Sequence, residues 1–215
     1  TETIDTLQIT SPDRLDLTIE THIQAFKEKN LQAALYRIVS VVVQPGVDFS
    51  HTAVTQYSKS SAKKLVDQLS KYKDIAFEAH STDYQQTTGL ANLVADHHLF
   101  LKVGPELTFA LREALFLLAK IEDELFKDKA SNLIQVVFKT MDNNPKDWIN
   151  YYHGSIDEQQ FLKHYSYSDR IRYYWDHPDV NSAINKMIKN LDNVDIPEFV
   201  ISQFFGIAPN AQNNE

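Results

Sequence analysis

Cysteine is absent from all 215 residues, and glycine and proline are few, at 5 and 7. The first absence excludes disulfides, thiolate nucleophiles and cysteine-ligated zinc, and it suits a reducing compartment, so a cytoplasmic location is expected. The second means that where glycine or proline does occur it can be read as punctuation. No apolar run approaches the roughly 18 to 20 residues that span a bilayer, and the first residues lack the basic and apolar regions of a signal peptide. Membrane insertion and export are therefore not expected. Positive charge is also short: 21 lysines and arginines against 29 acidic residues leave a formal charge of -8 and a pI near 5.4. With no basic stripe to offset that balance, nucleic acid is not an expected partner.

What is present is 43% hydrophobic residues, enough for one substantial core, on a length that admits one domain or two. The chain opens at Thr1 and closes on the polar Ala211 to Glu215, and both ends read as cut or frayed. Ser11-Pro12-Asp13 reads as an N-cap with proline at the first helical position, and Leu15, Ile19, Ile23 and Phe26 follow at helical spacing. Leu31 to Tyr36 forms a short turn. Ile38 to Val43 is a β-branched run that stops at Gln44-Pro45-Gly46, a buried strand. Helices are expected from Ser61 and over Thr87 to Asp96, with strands over Asp74 to Ala79 and Leu99 to Val103. Leu107 to Phe126 carries a long apolar stripe through Leu111, Leu115, Leu118 and Ile121. Connections this long demand parallel strands with crossovers, so the class is α/β. From Lys127 only short helices follow, broken at Asn143-Asn144-Pro145, His177-Pro178 and Ile196-Pro197. The expected division is residues 1–126, a parallel α/β part, and 127–215, a helical annex.

Alternation along the strands sorts side chains into two rows. Val39, Val41 and Val43, then Ile75, Phe77 and Ala79, then Leu99, Leu101 and Val103 form the apolar row. Gln44, Glu78, His80 and Lys102 fall in the other row near the strand ends, the rim at which parallel folds bind ligands. Glu78 and Lys102 read either as a structural ion pair or as a clamp for an anionic sugar. His80 reads as a metal ligand or as a hydrogen-bonded structural residue, with His51 able to join it, while His97 and His98 belong at the opposite end. Asp83 and Tyr84 either join the site or cap the next helix. Gly104-Pro105 exposes the N–H groups of Leu107 and Thr108 to a phosphate, and Glu106 there opposes one. The candidate ligand-binding set is Gln44, Glu78, His80, Asp83, Lys102, Gly104 and Thr108, with no residue assigned a catalytic role. In the annex, Tyr165 to Trp175 concentrates aromatics and arginines, which reads as packing with stacked guanidiniums or as a lid or partner surface.

Four blocks, Val42 to Val47, Phe77 to Gln85 (FEAHSTDYQ), Leu101 to Leu115 (LKVGPELTFALREAL) and Tyr165 to Arg170 (YSYSDR), resemble the accessory, non-catalytic subunits of tagatose-bisphosphate aldolase, a family also labelled tagatose-6-phosphate kinase. The resemblance runs from about residue 2 to about residue 205 and is to the second half of the family only. It implies the C-terminal portion of a (β/α)8 TIM barrel, with three parallel strands. It further implies an oligomer with a zinc-dependent class II catalytic subunit, which this chain stabilises and activates in galactitol, tagatose or N-acetylgalactosamine-type catabolism. His80 looks placed like a metal-binding histidine of class II aldolases, with zinc in the complete barrel or in the catalytic partner. Little activity is expected of the chain alone. The alternative is a sugar-phosphate enzyme in its own right, a metal-dependent aldolase or a kinase, though no Walker-type loop is present. Three strands do not close an eight-stranded barrel, so further strands or another copy are expected to cover the open edges.

Overall fold

The computed structural model describes residues 7–192 and 194–205, so the polar end at 211–215 lies outside the described residues. In chain order the elements are α1 (Pro12–Glu28), β1 (Ser40–Val43), β2 (Asp48–Phe49), β3 (Val54–Thr55), α2 (Lys59–Leu69), β4 (Ala76–Ala79), α3 (Thr87–Ala95), β5 (His98–Leu101), α4 (Glu106–Phe126), α5 (Leu133–Asn143), α6 (Ile156–Tyr165), α7 (Pro178–Leu191) and α8 (Glu198–Phe205). Short 3₁₀ turns fill several connections, Gln32–Arg37 before β1 among them. The chain divides into two compact units, one through Glu106 and one from Leu107 onward. The division expected after Phe126 falls at the other end of α4.

In the first unit β1, β4 and β5 form a parallel sheet in the order β1-β4-β5. The class is α/β, with three parallel strands and crossover helices in the manner of part of a (β/α) barrel. β1 and β4 begin two residues later than the runs that announce them, and β5 occupies His98–Leu101 where Leu99 to Val103 was expected. Ser11 caps α1 by accepting from the Arg14 amide, with Pro12 at the first helical position, and Ser58 caps α2 through the Ser61 amide. Leu15 and Ile19 of α1, Leu65 and Leu69 of α2, and Val43 and Phe77 of the sheet make one core cluster. Fully burying a side chain such as Phe77 contributes about 1.5–3 kcal/mol. Val47 and Tyr57 make a second cluster with Ala62 of α2 and Leu93 of α3.

The alternation expected for the third strand fails at one residue. Phe77 pairs with His98, but Glu78 pairs with Phe100, so Leu99 is an extra residue in a bulge. His98 and Leu101 thereby join the buried row with Phe77 and Ala79, while Leu99 is 62% exposed. The two-residue strands β2 and β3 form an antiparallel hairpin that no periodicity announces.

The second unit is helical, with no strand among its described residues. Ala119 of α4, Leu133, Val137 and Met141 of α5, and Val180, Ala183 and Met187 of α7 pack with Trp148, Tyr152, Ile171 and Tyr174. His177 with Pro178 starts α7, and Asn143-Asn144-Pro145 ends α5, as the breakers imply. Charges are also buried here, each with partners. Arg112 faces Asp169 at 3.4 Å, and Lys163 pairs with Asp142. Glu122, fully buried, accepts from the Ser131 amide at 2.9 Å, the Ser131 hydroxyl and Asn190 Nδ2 at 2.6 Å. Such groups persist inside only when paired or hydrogen-bonded.

Candidate functional site

The C-terminal ends of β4 and β5 bring three of the expected side chains together. Glu78 is the third residue of β4 and points to the less apolar row, between Val42 and Phe100. His80 follows the strand end, and its Nε2 lies 3.0 Å from Glu78 Oε1. Lys102, just past β5, places Nζ 3.7 Å from the same oxygen. Lys102 reaches the rim because its amide still bonds Ala79 O, one step beyond the paired strand. The side chains of His80 and Lys102 are 46% and 60% exposed and that of Glu78 is 23%, so the trio is an accessible carboxylate flanked by two groups able to donate to an anion.

The loop beneath this trio is tightly tied. Ser81 and Tyr84 adopt left-handed backbone conformations, with φ of 57° and 60°. Thr82 donates to Lys102 O from both its amide and its hydroxyl. Asp83 is 1% exposed, and its Oδ1 accepts from the amides of Gly104 at 2.7 Å and Glu106 at 3.0 Å. Gln85 accepts from the Tyr57 amide and donates to Thr55 O, while Gln56 spans Tyr84 O and the Gln86 amide. The β4–α3 loop is thus held to the β2–β3 hairpin on one side and to the loop entering α4 on the other. Thr82, Gln85 and Gln56 were not among the expected residues. In sequence they are ordinary polar loop residues, and no spacing marks them.

The other candidates go elsewhere. Gln44 Oε1 accepts from the amides of Gly46 and Val47 within its own turn, and the Gln44 backbone amide donates to Thr10 Oγ1. Gly46, at φ +96°, suits that turn because it has no Cβ. Gly104 supplies its amide to Asp83, so the protein's own carboxylate already sits at the entry to α4 where a phosphate was expected. Thr108 belongs to the second unit, where its hydroxyl meets the buried Asp169 carboxylate. Burial raises the Asp169 pKa, and Thr108, Arg112 and Arg172 pull it back down. His98 stands in β5, fully buried, with Nδ1 on Leu93 O at 3.1 Å and its ring against Phe77 and Tyr57. Desolvation lowers its pKa.

His80 as a zinc ligand can be weighed against its surroundings. A zinc centre takes at least three protein donors, and no group of three or more His, Asp or Glu side chains able to hold a metal occurs among the described residues. Glu78 and His80 supply two donors, and the Lys102 ammonium beside them opposes a divalent cation. These residues alone do not fit a metal.

The family model described as "D-tagatose-1,6-bisphosphate aldolase subunit GatZ/KbaZ-like" matches residues 1–215. Among solved structures, a probable tagatose 6 phosphate kinase from Sinorhizobium meliloti 1021 is 46% identical and superposes with a TM-score of 0.89. The match covers 94% of this chain and 52% of that one, so this chain spans about half the length of that relative. No described helix is long and apolar enough to cross a membrane.

Proposed function

Because the chain belongs to the D-tagatose-1,6-bisphosphate aldolase subunit GatZ/KbaZ-like family, we propose that it acts as an accessory subunit, stabilising and activating a class II tagatose-1,6-bisphosphate aldolase in sugar catabolism. The observation that carries this reading is the family match along the whole sequence. The rim is compatible with it: Glu78, His80 and Lys102 make an anion-binding trio without a metal-donor set of their own. In this role the trio holds a sugar phosphate, Lys102 and His80 donating to the phosphate while Glu78 accepts from a sugar hydroxyl. The zinc chemistry belongs to the catalytic partner, and the site of action is the cytoplasm.

The test is cleavage of tagatose 1,6-bisphosphate by a purified class II catalytic subunit with and without this chain. The expected result is a longer half-life and a higher rate for the mixture, with no turnover by this chain alone. Turnover by this chain alone, or a partner indifferent to its presence, would overturn the proposal. A second reading, a sugar-phosphate enzyme acting by itself, draws on the name of the Sinorhizobium meliloti relative and on the open rim trio. That reading requires solo turnover of tagatose 6-phosphate with ATP or of tagatose 1,6-bisphosphate, and the same assay separates the two.

A further inference from the structure

In the second unit, rings and guanidiniums alternate at partly exposed positions. Arg170 lies over the Tyr151 ring at 3.0 Å and within 5.7 Å of Tyr173, and Arg172 lies over Tyr173 at 4.7 Å. Tyr151 is 38% and Tyr173 49% exposed. Carbonyl oxygens hold the arginines in place: Arg170 Nη1 donates to Asp147 O and Arg172 Nη1 to Ser168 O, both at 2.7 Å, while Arg172 Nη2 reaches the Tyr173 hydroxyl. The Ser166 to Asp169 turn presents them, with Asp169 at φ 43°.

Among the described residues neither guanidinium is ion-paired with a carboxylate. Asp169 is close enough to feel the charge of Arg172, but it is fully buried and engaged with Arg112 and Thr108. Stacking on rings keeps them planar and pre-oriented, which lowers the entropy lost when a carboxylate docks bidentately. Exposed tyrosines and arginines side by side have the composition that carries most binding energy in protein interfaces.

We infer that Tyr151, Arg170, Arg172 and Tyr173 form the contact surface for an acidic segment of the partner aldolase subunit. The inference rests on the accessory-subunit reading and adds where the partner docks and with what chemistry. A carboxylate-bearing protein segment fits better than a lone small anion, because the charges alternate with rings along a surface and each ring offers apolar area beside a charge.

The experiment is calorimetric titration of the full chain with a purified class II tagatose-bisphosphate aldolase catalytic subunit, repeated at rising sodium chloride. Unaltered chain is expected to bind, with affinity falling steeply with salt. Arg172→Glu should weaken binding at least tenfold and flatten the salt dependence. Tyr173→Ala, which leaves the Arg172 to Ser168 bond intact, should weaken it several-fold, and Arg172→Lys should fall between. Tryptophan fluorescence on urea titration checks that each variant is folded. Affinities of the folded variants within twofold of the unaltered chain would overturn the contact surface while leaving the subunit reading standing. Failure of the unaltered chain to bind would overturn both.

Discussion

Replacing Arg112 by methionine is expected to be among the most damaging single changes in the second unit. Arg112 is 3% exposed and lies on α4, with Nε 3.4 Å from Asp169 Oδ1, Nη1 donating to His164 O at 2.8 Å, and the guanidinium 4.1 Å from the Phe109 ring centroid. At an effective dielectric near 20, a unit pair at that separation interacts by about 5 kcal/mol before desolvation. The substitution preserves apolar volume but strands a carboxylate that is 0% exposed. Breaking a buried pair from one side costs about 3–5 kcal/mol. For a unit of this size, that lowers the melting temperature by more than about 12 °C.

The pH dependence gives a second, independent signature. Burial already raises the Asp169 pKa, and Arg112 opposes that shift, so the variant raises it further. A carboxyl with a raised folded pKa binds its proton more tightly folded than unfolded. Its stability contribution is therefore intact below the unfolded value near 3.9 and is lost as pH rises through the folded pKa. The deficit of Arg112→Met should accordingly shrink on acidification. Urea unfolding followed by tryptophan fluorescence reads this unit alone, because both tryptophans, Trp148 and Trp175, lie in it. Adding Asp169→Asn to the variant should recover about 2 kcal/mol or more, since the stranded charge is gone. A loss below about 1 kcal/mol, a deficit that grows on acidification, or strictly additive single and double variants would refute the reasoning.

Further outcomes follow from the same geometry. His164 stacks on Phe138 at 3.6 Å, and burial, then Lys163 and Arg112, lower its pKa; a depressed histidine costs stability as pH falls through the unfolded value near 6.5, so His164→Phe should flatten the acid limb of the fluorescence-detected stability curve between about pH 7 and 5. Gly46→Ala meets both a φ of +96° and the Ile9 side chain at 3.1 Å, and should lower the first unit's stability by about 1–2 kcal/mol in thermal unfolding followed by circular dichroism. Glu78→Gln breaks a half-exposed pair and should change stability by less than about 1 kcal/mol, yet alter the thermal shift induced by tagatose 1,6-bisphosphate; an unaltered ligand response would remove Glu78 from the proposed pocket.

The legible part of the fold is the part in which period and burial coincide. Leu15, Ile19, Leu65, Leu69, Val43 and Phe77 repeat at helix or strand spacing and do enter one core. The cap at Ser11 was equally readable, because the side chain that accepts the free amide is local in sequence, and the break at His177-Pro178 falls at the start of α7. The bulge at Leu99 was not readable. Its cause is non-local: His98 must face Phe77 and Tyr57 while Leu101 must face the core, and two inward residues three apart force an extra one between them. The β2–β3 hairpin was missed for the opposite reason, since two residues per strand carry no period.

The candidate site splits along a similar line, and the split says what kind of surface the rim is. Residues chosen for polarity near a strand end included some whose hydrogen bonds close locally or onto a neighbouring loop. Gln44 satisfies Gly46 and Val47, and Asp83 satisfies Gly104 and Glu106, in each case because irregular backbone leaves amides that something must meet. Glu78, His80 and Lys102 differ. Among the described residues their side chains bond one another, remain partly exposed, and stand over a loop fixed by Thr82, Asp83 and Gln85. A trio serving stability alone would gain little at such exposure, where ion pairs contribute about 0–1 kcal/mol. Rigid support beneath accessible charge is instead an arrangement suited to holding a ligand's orientation, which is why the proposed anion-binding role falls on these three residues and not on the helix entry that Asp83 already fills.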